Sequence, residues 1–117
     1  MYRSFEELEV WKRACRLCVD LYKKLKPCTD LSLRDQMQRA AISIASNIAE
    51  GAERGTTKEF SRYLRIAKGS AGELRTQLYI AEKIEILDTE TRRALSNEAI
   101  EIGRMLQGLI ASLDKDI

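Results

Sequence analysis

The sequence predicts an all-α fold, an antiparallel up-down-up-down four-helix bundle. Three observations predict it. Apolar residues recur in steps of three and four in four blocks, no block alternates with the period of two of a half-buried strand, and only short joints separate the blocks. Short joints make consecutive helices antiparallel neighbours. A chain of 117 residues is long enough for one domain that buries roughly two thirds of its unfolded surface. One domain over residues 1–117 is therefore expected, with helices near 5–26, 32–54, 57–85 and 89–115.

In the first block Leu8, Trp11, Cys15, Cys18, Tyr22 and Leu25 form the apolar stripe, which ends before Pro27, whose ring and missing N–H stop a helix. In the second, Leu33, Met37, Ala40, Ile44 and Ile48 form the stripe, with Ala41 and Ala45 beside them and Gly51 or Gly55 as the left-handed stop. The third opens on Thr56-Thr-Lys-Glu59, a capping box in which the threonine oxygen takes an amide and the glutamate reaches back. Its stripe is Phe60, Leu64, Ala67, Ala71, Leu74, Leu78 and Ala81. The fourth follows Asp88-Thr89 with Leu95, Ala99, Ile102, Leu106, Leu109 and Leu113. Ile66, Ile80, Ile100 and Ile110 fall off these seams, with Tyr63 and Tyr79 near a second face of the third helix. Such a surplus of apolar residues points to a subunit interface, hence to a homo-oligomer.

Composition excludes several classes. Hydrophobic residues make up 44% and charged residues 32%, as in ordinary globular proteins, so disorder is not indicated. No apolar run is long enough to span a membrane, and the N-terminal Met-Tyr-Arg-Ser-Phe-Glu-Glu has no signal-peptide core; the expected location is the cytoplasm. The absence of histidine removes the usual general base at neutral pH and with it the hydrolytic triads. Cys15 and Cys18 form a C-x-x-C, but only Cys28 could join them as a soft ligand, and no strand precedes the motif as a redox site would require. Core packing of reduced thiols is the expectation, with no metal and no cofactor.

The second helix carries a polar line. Arg39, Ser43, Asn47 and Glu50 follow at i, i+4, i+8 and i+11, one face at about 3.6 residues per turn. The third helix answers with Ser70, Glu73 and Gln77. Polar groups on a face adjoining apolar positions cost free energy unless partnered, so the expectation is an interhelical network that sets register, with Arg39 meeting Glu73 or Gln77 and Ser43 and Asn47 meeting Ser70 or its backbone. The competing reading pairs Glu50 and Glu73 as catalytic carboxylates, without a histidine or a metal-ligand motif to support it. Gly69-Ser-Ala-Gly72 falls mid-helix and is no phosphate loop; close backbone approach, within the subunit or across an interface, is expected there.

Net charge is only +2, and its distribution says more. Lys58, Arg62 and Arg65 recur at i, i+4 and i+7, flanked by Arg54, Lys68 and Arg75, while the chain after Glu85 is predominantly acidic. These six cations are either a solvated helix face or a stripe that tracks nucleic-acid phosphates. Tyr63 among them could stack on an unpaired base or be buried.

Phe5-x-x-Leu8-x-Val-Trp11-x-x-Ala14, Gln36-x-x-Arg39-Ala-Ala-x-Ser43-Ile-x-Ser-Asn47-Ile-Ala-Glu-Gly51, Lys58-Glu-Phe60 and Leu64-x-Ile-Ala-x-Gly69-Ser70-x-x-Glu73-Leu together resemble the bacterial four-helix bundle family of 23S rRNA intervening-sequence proteins. The resemblance runs from about Phe5 to Leu113. Related bundles resemble the accessory variability determinant of diversity-generating retroelements, a pentameric barrel that works with a reverse transcriptase and nucleic acid. The resemblance implies a homopentamer and binding of RNA or DNA, and no catalysis. One departure is Ala45, where the family often has proline, so a proline kink in the second helix is not expected. The leading expectation is a non-enzymatic oligomeric bundle that binds nucleic acid, or a nucleic-acid enzyme such as a reverse transcriptase, through the third helix. A protein-interaction scaffold without nucleic-acid affinity is the alternative, and a carboxylate-dependent enzyme comes third.

Overall fold

The computed structural model describes residues 4–116 and contains four α-helices: α1 (Glu9–Lys24), α2 (Leu31–Glu53), α3 (Thr57–Lys83) and α4 (Thr89–Asp114). Met1 to Arg3, which the signal-peptide reading included, lie outside the described residues. Among the described residues the packed pairs are α1/α2, α2/α3, α3/α4 and α4/α1, and the diagonal pairs make no backbone contact, which closes an antiparallel bundle around one core. The 27-residue α3 spans about 40 Å at 1.5 Å per residue, and the bundle measures 45 × 20 × 19 Å.

Three of the four helices begin on a side-chain cap. Asp30 accepts the Leu33 amide, Thr56 the Glu59 amide and Asp88 the Thr91 amide, at 3.0, 3.1 and 2.7 Å, each satisfying a donor the helix leaves open. The expected capping box at Thr56 forms only in half: the Glu59 carboxylate turns to Arg62 at 2.9 Å, a stronger, charge-assisted partner. Helix α2 stops before Gly55, which takes φ +84°, while Gly51 remains helical. A Cβ at Gly51 would lie 2.6 Å from Tyr63 Cβ and 3.2 Å from the Phe60 carbonyl oxygen, so that glycine sets how closely α2 approaches the start of α3.

The first helix departs most from expectation. Its N-terminal part is a separate 3-10 turn at Phe5–Glu7, followed by an extended Leu8. The core-facing seam is Val10, Ala14, Leu17 and Leu21, whereas Trp11, Cys15 and Cys18 are half-buried and Tyr22 is exposed. Both seams have helical spacing, and which one faces inward depends on where α2 and α4 lie. The thiols are therefore not fully buried, although Cys18 and Cys28 pack against the core. The α3 stripe is buried throughout. In α4, Leu109 and Leu113 are only partly buried and Ile110, read as a surplus residue, is a core residue at 2% exposure. Ile66, Tyr79, Ile80 and Ile84 remain exposed.

Candidate nucleic-acid interface

The polar line on α2 resolves into a short network. Asn47 Nδ2 donates to the Ser43 carbonyl and Oγ, both at 2.8 Å, and Ser43 Oγ shares a 2.8 Å hydrogen bond with Ser70 Oγ on α3. These three residues clamp the two longest-contacting helices at mid-length. The expected outer members do not join. Arg39 and Glu73 are exposed, with no ion-pair partner among the described residues, because they point outward on either side of the α2/α3 seam. Gln77 is buried, and its Oε1 finds no donor. Glu50 bonds Arg54 one turn later at 2.9 Å. Its carboxylate thus serves an ion pair, while Glu73 stands in solvent, and the two form no shared site. Among the described residues no cluster of three or more Cys, Asp or Glu could hold a metal.

The structure divides the six candidate cations in two. Arg54 donates to Glu50 and to the Tyr63 hydroxyl (2.8 Å) and lies 3.9 Å from Glu59, and Arg62 bonds Glu59 at 2.9 Å. The Arg62 hydrogen bond holds the Glu59 carboxyl below its ordinary range. Arg65 reaches across to Asp114 on α4, and buried Ser61 bridges them, donating to Asp114 at 2.6 Å and accepting from Arg65 at 2.8 Å. That hydroxyl, and then Arg65, lower the Asp114 pKa. Arg54, Arg62 and Arg65 therefore have local carboxylates and belong to the fold. Tyr63, the candidate for base stacking, is half-buried, with its hydroxyl bonded to Arg54 and the Arg54 and Arg62 guanidinium carbons 5.1 and 4.6 Å from its ring centroid.

Lys58, Lys68 and Arg75 have no carboxylate at ion-pair distance among the described residues. Lys58 stands in the first turn of α3 beside Glu59, whose carboxylate it helps to stabilise. Lys68 and Arg75, two turns apart, line a groove between α3 and α4 together with Gly72, Ile100, Gly103 and Arg104. Lys68 Nζ bonds the neutral Gln107 at 2.6 Å. The groove continues past Arg75 to Tyr79, Arg92 and Asn97. Beyond the helix's own neighbouring backbone, no atom lies within 4 Å of a Cβ built at Gly69, Gly72 or Gly103, so no approach within the subunit requires these glycines; at Gly72 and Gly103 they leave the groove open. The α4 members, Arg104 and Gly103 above all, escaped the sequence reading because α3 and α4 residues become neighbours only once the helices pair. Tyr79 is 59% exposed in the groove, with Lys83 Nζ 5.2 Å from its ring centroid.

Among the described residues no helix is long and apolar enough to cross a membrane. The family profile described as 23S rRNA-intervening sequence protein matches residues 6–108. Among solved structures, the chain is similar to a protein of unknown function from the S23 ribosomal protein family of Bacteroides thetaiotaomicron, with 25% identity, a TM-score of 0.81, and coverage of 86% of this chain and 97% of that one. No curated protein matches the chain.

Proposed function

The chain belongs to the 23S rRNA-intervening sequence protein family, and we propose that it is a non-enzymatic cytoplasmic bundle that binds the phosphate backbone of RNA or DNA along the α3/α4 groove. One observation carries this reading: Lys68 and Arg75, without carboxylate partners among the described residues, flank a groove opened by Gly72 and Gly103. Unneutralised cations at a concave surface concentrate anions, and phosphate contacts release counterions from the nucleic acid. Tyr79 supplies a stacking face at the end of the same groove. The test is anisotropy of labelled RNA and DNA oligonucleotides at several salt concentrations, with the Lys68→Gln/Arg75→Gln variant beside Arg62→Gln. Loss of two phosphate contacts lowers the slope of log K against log salt by about 1.4 for a single strand. Arg62→Gln leaves that slope unchanged. Absence of binding at low salt, or equal loss in both variants, refutes the reading.

A second reading, self-association into the ring of five that the resemblance implies, is favoured by a different face. Ile66 and Ile80, 40% and 44% exposed, share an outer face of α3 with unpaired Glu73, Ile84 follows the end of that helix at 52% exposure, and unpaired Arg39 lies across the seam on α2. Apolar residues flanked by opposite, unsatisfied charges suit a contact between copies. Sedimentation of Arg39→Glu, Glu73→Arg and the double variant tests it: each single reversal dissociates the assembly and the double variant restores it. A wild-type chain that sediments as a monomer removes this reading and leaves the first intact.

A further inference from the structure

Most of the apolar seam that the sequence assigns to the core of the first helix stands at the edge of the core. Val10, Ala14, Leu17 and Leu21 meet the other helices, and the adjacent seam through Cys15, Cys18 and Tyr22 is left along the α1/α2 side of the bundle. There Val19 and Tyr22 on α1 face a groove shared with Ile42 on α2, and the three are 53%, 39% and 45% exposed. The groove is lined mainly by apolar atoms, yet its charged lining residues are all cations: Lys23 and Lys26 from α1 and its C-terminal extension, and Arg34 from α2. None of the three has a carboxylate at ion-pair distance among the described residues. Arg34 is only half-exposed, and its Nε is shielded from solvent without an acceptor.

We propose that the α1/α2 groove docks an acidic amphipathic helix of a partner protein, with its apolar face on Val19, Tyr22 and Ile42 and its carboxylates on Lys23, Lys26 and Arg34. The spacing of Val19 and Tyr22 at i and i+3 presents successive turns to a third helix laid between two antiparallel ones, the geometry by which helices seat in grooves. Burial of apolar area supplies the affinity, and an all-cation rim selects acidic partners and rejects basic ones. Nucleic acid has no comparable apolar face for this groove, and the α3/α4 groove lies on the other side of the bundle. The inference is independent of the phosphate-binding reading.

The probe is a pair of fluorescein-labelled stapled helical peptides with leucines at i, i+3, i+7 and i+10, flanked by glutamates in one and lysines in the other. Anisotropy is followed against the full chain. The glutamate peptide is expected to bind at least tenfold more tightly than the lysine peptide. Ile42→Gln and Val19→Gln each weaken it at least tenfold while melting like the wild type, and Lys23→Glu/Lys26→Glu reverses the peptide preference. Lys68→Gln/Arg75→Gln leaves peptide binding unchanged. Equal binding of both peptides, or of neither, overturns the proposal. So does binding only to anionic phospholipid vesicles, which makes the face a membrane surface, or self-association abolished by Ile42→Gln, which makes a second copy the occupant.

Discussion

Alanine at Gly51 and alanine at Gly72 should move stability in opposite directions, although both glycines are helical and both substitutions favour the helix by up to about 1 kcal/mol. At Gly51 the added methyl would stand 2.6 Å from Tyr63 Cβ, about 0.8 Å inside the 3.4 Å at which ordinary contact begins, and 3.2 Å from the Phe60 carbonyl oxygen. One neighbour is backbone and the other is bonded to it, so no rotamer change relieves the clash and α2 must move away from α3. Overpacking of this kind costs about 1–3 kcal/mol. Offset by the helical gain, the net loss is up to about 2 kcal/mol, a fall of up to roughly 10 °C in Tm for a chain of this size. At Gly72 nothing beyond the helix's own neighbouring backbone lies within 4 Å of the new methyl, so the propensity gain stands alone and Tm rises by roughly 3–6 °C. The methyl also narrows the α3/α4 groove, and oligonucleotide affinity should fall in the more stable variant. Thermal unfolding followed by far-UV circular dichroism measures the first effect and anisotropy the second. A Gly51→Ala protein melting at or above wild type would refute the close approach of α2 and α3. A Gly72→Ala protein with unchanged affinity would remove Gly72 from the interface.

Two further outcomes test the clamps between helices. Ser70→Ala removes the only interhelical bond of the Ser43–Asn47 network among the described residues and leaves the Ser43 hydroxyl short of a partner, so it should cost about 1–2 kcal/mol in urea unfolding, while exposed Glu73→Ala stays within about 0.5 kcal/mol of wild type. The Arg13 fork, which donates to both oxygens of Glu98 at 2.9 and 2.6 Å, holds that carboxyl below its ordinary value of 4.5 despite the opposing effect of burial. A carboxylate with a depressed folded-state pKa contributes stability above the unfolded value, and that contribution disappears as pH falls through the folded one. Thermal stability should therefore hold from neutrality towards pH 5 and decline below about 4.5, with Glu98→Gln reducing the decline by about 1 kcal/mol or less. An identical acid profile in Glu98→Gln would mean that the fork does not form in solution.

The fold was legible in the sequence because periodicity, caps and breakers are local. Asp30, Thr56 and Asp88 cap the helices they precede, and the α3 stripe from Phe60 to Ala81 is buried as its spacing requires. Where two apolar seams lie side by side, as in α1, spacing cannot choose between them, because the choice depends on the positions of α2 and α4. That is why Trp11, Cys15 and Cys18 read as core and stand at its edge, and why Ile110 read as surplus and is core.

The candidate site was legible only as a run of cations along one helix. The sequence by itself determined an all-α chain of four helices, the family to which its central motif belongs, and a set of cations concentrated around α3. Tertiary structure decided which of those cations are neutralised. Arg65 is held by Asp114 and Ser61, 49 and 4 residues away, whereas Lys68 and Arg75 meet no acid among the described residues. It also decided what lies beside them, since Gly103 and Arg104 reach the groove only through the pairing of α3 with α4. Charge is written in single residues, but its neutralisation belongs to pairs, and which pairs meet depends on how the helices pack.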